Sequence, residues 1–528
     1  MEHLDLIIFG LLLAVTALAV AARFLGVPYP ILLVLGGLAL GYVPGIPEIH
    51  LEPDLVLLIF LPPLLYGAAF FTSLRDLRAN AKTIGVLAIP LVVTTMVAVA
   101  ALAHFVIGLD WSVAFVLGAV VSPTDAVAPA ATLREVDAPR RVISIIEGEN
   151  LTNDWTALVL YRIAVGAVVS GSFSLWHAGL KFALNGLAGL AIGLAVGFVI
   201  RELRRRIDDP PTELTISLLT GYAAYLPAEE IGVSGVIAAV TVGIFMGWHT
   251  PQLTTPTTRM QLFAVWELLL FVLNAILFLL VGLQLPTVVD QIAGRSAGEL
   301  AGWAALVSAV VIVVRLAYVW VTPFSVRLVG RTVGQLARPL DVRQRLIIGW
   351  SGMRGSVALA AALAIPLTVH GGGAFPDRDL LLFLTFTVIV VTLVFQGLTL
   401  KPLVRLLGVT GDRSEEEHEE TKARLRAAEA ALARLEELAD EDWVRDDTLD
   451  RARNLYDYRR RRFSARFDGS DEDGDFEDRS SAYRRLLREV LSAERDELLA
   501  LRNEGYISDD VRRRVERDLD LEESRLGT

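Results

Sequence analysis

Cysteine is absent from this 528-residue chain. Disulfide scaffolds, thiolate metal sites and cysteine nucleophiles are therefore excluded, and the redox compartment leaves no trace. Histidine is scarce: there are seven, no two of them at helical ligand spacing. His104 and His249 sit near the ends of apolar runs, and neither makes a case for a pH sensor. Charge is also missing from most of the chain. Residues 1–402 hold 24 basic and 25 acidic side chains, whereas 403–528 hold 25 and 35, so the net charge of −11 belongs almost wholly to the C-terminal part. No phosphate loop or metal-finger spacing occurs. Nothing calls for a cofactor, a nucleic-acid partner or an enzymatic reaction.

What is present in abundance is apolar sequence. Hydrophobic residues make up 53% of the chain and mean hydropathy is +0.51, too apolar for one soluble domain of ordinary composition. Spanning a bilayer takes about 20 mostly apolar residues. Thirteen stretches qualify, roughly at 4–23, 29–43, 52–71, 83–107, 112–134, 142–170, 179–201, 212–228, 231–248, 262–286, 299–322, 345–369 and 379–402. The first is too long for a removable signal peptide, lacks its basic start and small-residue cleavage site, and is expected to stay in the mature protein.

Lys and Arg alternate between the loops. One set carries Arg23; Arg75, Arg78 and Lys82; Arg134, Arg140 and Arg141; Arg201 and Arg204 to Arg206; Arg259; and Arg327, Arg331, Arg338, Arg343 and Arg345. The other offers Lys181, Arg295 and Arg378, with Glu48, Glu52, Asp110, Glu229 and Glu230. The basic set is cytoplasmic by the positive-inside rule. Thirteen spans then put the N-terminus outside and the C-terminal tail in the cytoplasm. The expected division is a membrane domain at 1–405 and a charged cytosolic domain at 406–528. In the tail, Glu415–Leu438, Asp447–Phe467, Ala482–Arg502 and Ile507–Arg525 have helical spacing, with an acidic linker at Gly469–Asp478. They predict helical hairpins or a loose bundle. The cluster Arg459–Arg462 fits a solvated helix face or a contact with anionic lipid.

An ionisable side chain deep in a span costs a few kcal/mol and needs a partner or a water-filled cavity. The fifth span contains Ser122-Pro-Thr-Asp-Ala-Val-Ala-Pro129, with Asp125 mid-span. Each proline removes a backbone donor and clashes with the preceding turn, so the helix is predicted to break at Ser122–Asp125. In the sixth span, Glu149, Asn150, Asn153 and Asp154 fall within a wedge of about 140° at 100° per residue, with Glu147 at its edge. Carboxylates and carboxamides pointing one way at mid-membrane suit a hard cation or a proton relay. The twelfth span has Gly352-Met-Arg-Gly355, where paired glycines weaken the helix around Arg354. If the two halves of the chain are inverted repeats, these two weak points correspond and mark a site near the midplane. Arg354 would balance the carboxylates and the converging helix ends. Arg162 and Arg315 are further intramembrane cations; Glu147 or Glu149 could partner Arg162. Glu267 and Gln284 read as packing or interface residues.

These residues bring the chain close to a known family. Ser122-Pro-Thr-Asp125, Glu147-Gly-Glu-Asn-Leu-Thr-Asn-Asp154, Thr156-Ala-Leu-Val159 and Gly352-Met-Arg-Gly-Ser356, with Leu61-Pro-Pro-Leu-Leu-Tyr66, Trp266 to Asn274 and Leu279 to Leu283, resemble the sodium/proton exchanger type of monovalent cation:proton antiporter, in its NhaP-like branch. The resemblance covers residues 1 to about 405. It implies an all-α, thirteen-helix homodimer with inverted repeats and two crossed discontinuous helices, exchanging Na⁺ or Li⁺ for H⁺ in the plasma membrane. Asp154 is then the exchanging carboxylate, Asn153 marks the electroneutral Asn-Asp class, and Thr124, Glu149 and Asn150 surround the ion. Asp125 and Arg354 compensate the broken helix ends. Asn150 replaces the frequent Ser, which keeps a roomier K⁺/H⁺ antiporter open as an alternative. A cation channel is the reading from another class. It would need a continuous polar pore, whereas these polar residues converge on one point.

Overall fold

The structure is a computed structural model that describes residues 4–44, 53–171, 175–292, 294–329, 340–370, 372–409, 413–468 and 475–526. Glu48, Glu52, Arg331 and Arg338 of the loop series, and residues 469–474 of the acidic linker, lie outside the described residues. Backbone contacts divide the chain into Met1–Gly411 and Asp412–Thr528. Among the described residues the only β pairing is a single bridge between Thr368 and Ala374; the protein is all-α.

Each of the thirteen apolar stretches falls on a helix or a helix pair. The first three are α1 (Leu4–Leu25), α2 (Tyr29–Gly41) and α3 (Pro53–Phe71). The fourth is split into α4 (Leu74–Ala88) and α5 (Pro90–Leu102), with a π turn at Ala103–Ile107. It starts well before the apolar run because Ser73 accepts the amide of Asp76 and caps an amphipathic first half. Pro90 then occupies the first turn of α5, where its missing donor costs nothing. The fifth is α6 (Trp111–Val121) and α7 (Val127–Glu135), and the sixth is α8 (Arg140–Ser170). Next come α9 (Leu175–Arg204), α10 (Pro210–Glu230), α11 (Gly235–Leu253), α12 (Pro256–Gln291) and α13 (Ala297–Val329). The twelfth is α14 (Val342–Trp350) and α15 (Ser356–Leu363); the thirteenth is α16 (Arg378–Val391), a π turn at Thr392–Gln396, and α17 (Gly397–Leu407).

Among the described residues, six helical stretches are long and apolar enough to cross a membrane by themselves: Leu74–Ile107, Ala183–Arg204, Gly235–Leu253, Pro256–Asp290, Ala297–Val321 and Arg378–Leu407. Shorter apolar stretches lie at Phe9–Leu25, Tyr29–Gly41, Leu58–Phe71 and Trp111–Val121. Packing places the site. α2 lies along α12, α11 against α3 and α9, and α8 against α4 and α6, while α5 packs on α6 and α13. The main apolar core runs through α5, α6, α8, α13, α15 and α16. A smaller one gathers Tyr66, Phe70, Met246 and Trp266.

In the second unit, α18 (Arg413–Leu438) packs on α19 (Asp446–Asp468), and α20 (Asp475–Asn503) on α21 (Asp509–Leu526). These are the expected hairpins. Arg459 sits over Tyr456, Arg460 pairs with Asp457 and Arg462 sits over Phe463, so much of this cluster is engaged along its own helix.

Candidate functional site

The two broken helices meet at their breaks, where the amide of Asp125 donates to the carbonyl of Met353 at 2.8 Å. A break exposes unpaired amides at one helix start and unpaired carbonyls at one helix end, and each must be met internally in lipid. One carboxylate serves both starts. Asp125 accepts from the amide of Val127 at 2.7 Å, opening α7, and from that of Ser356 at 3.1 Å, opening α15. Two guanidinium groups serve the ends. Arg354 donates to the carbonyl of Val121 at 3.0 Å, closing α6, and to that of Gly352. Arg315, from α13, donates to Ile348 at 2.9 Å and Gly349 at 3.2 Å near the end of α14. Negative charge at helix starts and positive charge at helix ends also offset the macrodipoles.

The glycines of the second break are required by these contacts. A Cβ at Gly355 would fall on the Asp125 carboxylate, and one at Gly352 on the side chain of Arg315. The π turn beside it contributes as well: the hydroxyl of Thr392 accepts from the amide of Arg354 at 3.1 Å, and Gln396 donates to the carbonyl of Trp350 at 2.9 Å.

On α8 the carboxylates have different surroundings. Glu149 is buried and gripped through both oxygens by Arg315, with the hydroxyl of Thr124 donating to it at 3.4 Å. Glu147 pairs with Arg134 at 2.5 Å. Asn153 donates to the hydroxyl of Thr124 at 2.7 Å, and the Asn150 amide oxygen accepts from Ala126 at 3.1 Å. Asp154 is 3% exposed; one of its oxygens accepts a long bond from Asn150 at 3.4 Å, and the other has no partner among the described residues. No basic group among the described residues pairs with it.

A cavity of 760 Å³ reaches this carboxylate. Thr124, Asp125, Asn150, Asp154, Gly355 and Ser356 line it, facing Tyr29 of α2 and Glu267, Phe271 and Asn274 of α12. Its lining on α8 runs from Glu147 through Asn150 and Leu151 and stops at Asp154. Beyond that point Arg162 pairs with Glu229 of α10 at 2.8 Å. Along α8 the cavity is thus a funnel that runs from the exposed Arg134 and half-exposed Glu147 to the buried Asp154.

A family model described as sodium/hydrogen exchanger, transmembrane, matches residues 10–406. The chain belongs to the sodium/hydrogen exchanger family. A Na⁺/H⁺ exchanger of Mycobacterium tuberculosis, itself uncharacterised, is 38% identical over 99% of this chain and 97% of its own length. The Na⁺/H⁺ antiporter ApNhaP of Aphanothece halophytica is 33% identical over 82% of this chain and 81% of its own. Among solved structures, the sodium proton antiporter MjNhaP1 of Methanocaldococcus jannaschii is similar in fold, with a TM-score of 0.61 at 20% identity, covering 77% of this chain and 100% of that one. This exchanger is thus a transporter that couples cation to proton movement.

The structure gathers Thr124, Asp125, Asn150, Asn153, Asp154 and Arg354 around the crossing. Glu149 adjoins them through the hydroxyl of Thr124, but both its oxygens are held by Arg315 and it does not line the cavity. One expectation is corrected: Arg162 pairs with Glu229 rather than Glu147 or Glu149, because it lies two turns past Asp154, away from Glu147. Glu267, read from the sequence as a packing or interface residue, lines the cavity. Arg315, Thr392 and Gln396 were not legible as site residues. Arg315 stood out only as an intramembrane charge, which names no partner.

Proposed function

We propose that this exchanger moves Na⁺ or Li⁺ against H⁺, one for one, across the plasma membrane, with Asp154 carrying each in turn. One observation carries the reading: around the crossing, Asp125, Glu147 and Glu149 are each satisfied by amides or guanidinium groups, while Asp154 keeps a buried oxygen without a donor among the described residues, at the head of the funnel. A desolvated carboxylate without a counter-ion is unstable as a bare charge, so it holds either a proton or a cation, and occupancy by one excludes the other. A core that swings only when loaded then exchanges one for the other. Thr124, through its backbone, and the Asn150 amide oxygen complete the ligand set; a carbonyl oxygen has a second lone pair after accepting from Ala126. Glu149 holds Arg315 in place. The working unit is a homodimer with the N-terminus outside and the tail in the cytoplasm, and the Arg134 end of the funnel opens to the cytoplasm.

A K⁺/H⁺ antiporter is the second reading. It is favoured by Asn150 and by a relative named sodium, potassium, lithium and rubidium/H⁺ antiporter from Bacillus subtilis, 32% identical over 75% of this chain and 60% of its own. A test is dequenching of a pH-sensitive dye in proteoliposomes on addition of Na⁺, Li⁺ or K⁺, with membrane voltage clamped or imposed. Response to Na⁺ and Li⁺, unchanged by voltage, is expected. A response to K⁺ alone would replace the cation assignment, and one that follows voltage would remove electroneutrality.

A further inference from the structure

Glu267 is out of place by composition. It interrupts the apolar run Leu262 to Leu273 of α12, where an ionisable group is costly unless it meets a partner or water. It has no ion pair or hydrogen bond to any described residue, and it is exposed. Phe263, Glu267, Leu270, Phe271 and Asn274, spaced three and four apart, form one stripe of α12, and that whole stripe lines the cavity that ends at Asp154. The other charges on the cavity wall are accounted for: Asp125 by two amides and Glu147 by Arg134. Among the described residues, two carboxylates on the wall remain without a counter-ion, Asp154 on α8 and Glu267 on α12.

We infer that Glu267 is a cation-loading residue of the transport reaction, one that captures the hydrated cation on the α12 wall and delivers it to Asp154. This rests on the antiport reading above. A charge set between low-dielectric walls focuses its field and raises the local concentration of counter-ions, so its effect is on loading. Glu267 is exposed, so a cation held there keeps water in its shell. It holds the ion with its water, and dehydration is left to the buried carboxylate. Glu267 thereby sets how much cation is needed to load the site without taking part in exchange.

The test uses the full-length protein in proteoliposomes, with Na⁺-driven dye dequenching read as apparent KM and Vmax. At low ionic strength Glu267→Gln should raise the apparent KM by about two- to fivefold, the range of a single exposed charge interaction, with Vmax kept. Adding N-methylglucamine chloride to about 0.15 M, where the screening length is about 8 Å, should erase most of the difference. Glu267→Asp should stay near wild type. An unchanged KM at low ionic strength, or equal loss of Vmax in both variants, would overturn the assignment and leave Glu267 inert or structural. Absence of exchange in the wild type would remove the antiport reading, and this inference with it.

Discussion

Glu149 and Asp154 lie little more than one helical turn apart on α8, both buried, yet only one has a counter-ion. Arg315 grips Glu149 while also closing the end of α14, so Glu149 links three helices. Removing one member of a buried pair leaves the other charge uncompensated, at a cost of about 3–5 kcal/mol. Glu149→Gln should therefore lower the melting temperature of the purified protein markedly. A Glu149→Gln protein as stable as wild type, with only its cation KM altered, would place Glu149 among the ion ligands instead. The clustering of Asn150, Asn153 and Asp154 was legible in the sequence because helical spacing fixes which side chains share a face. The fate of Glu149 was not, since Arg315 stands 166 residues away and spacing says nothing about partners on another helix.

At the scale of elements, the crossing of α6/α7 and α14/α15 is held by charge placed at helix ends. The first break could be read from Pro123 and Pro129, and the second from Gly352 and Gly355, because prolines and glycines act on their own backbone. What the glycines are for became clear only in three dimensions: Gly355 leaves room for Asp125, and Gly352 for Arg315. Gly355→Ala should displace the Asp125 carboxylate from the starts of α7 and α15. The expected outcome is loss of exchange together with lower thermal stability, measured on the same preparation. Wild-type exchange in that variant would mean that Asp125 is not needed where it stands. The π turn at Thr392–Gln396 escaped the sequence because an apolar run looks alike whether its helix is regular or locally widened.

At the scale of the whole molecule, backbone contacts divide the chain at Gly411, near the point where its composition changes from apolar to charged. All the residues gathered at the crossing precede residue 400, whereas α18 to α21 carry hairpins of paired surface charge. Truncation after Gly408 should shift the pH profile of exchange and leave the order of Na⁺, Li⁺ and K⁺ unchanged, because a separable domain can bias conformations without touching the ion. A changed cation order in a properly inserted truncated protein would place part of the site in the tail. The most direct measurement compares wild type with Asp154→Asn in proteoliposomes, by Na⁺-driven dye dequenching alongside a melting curve of each protein. The volume is kept and the carboxylate of the crossing that has no counter-ion among the described residues is removed, so exchange should vanish while the melting temperature holds or rises. Na⁺-driven proton movement at the wild-type rate in Asp154→Asn would contradict the assignment of Asp154 as the exchanging group.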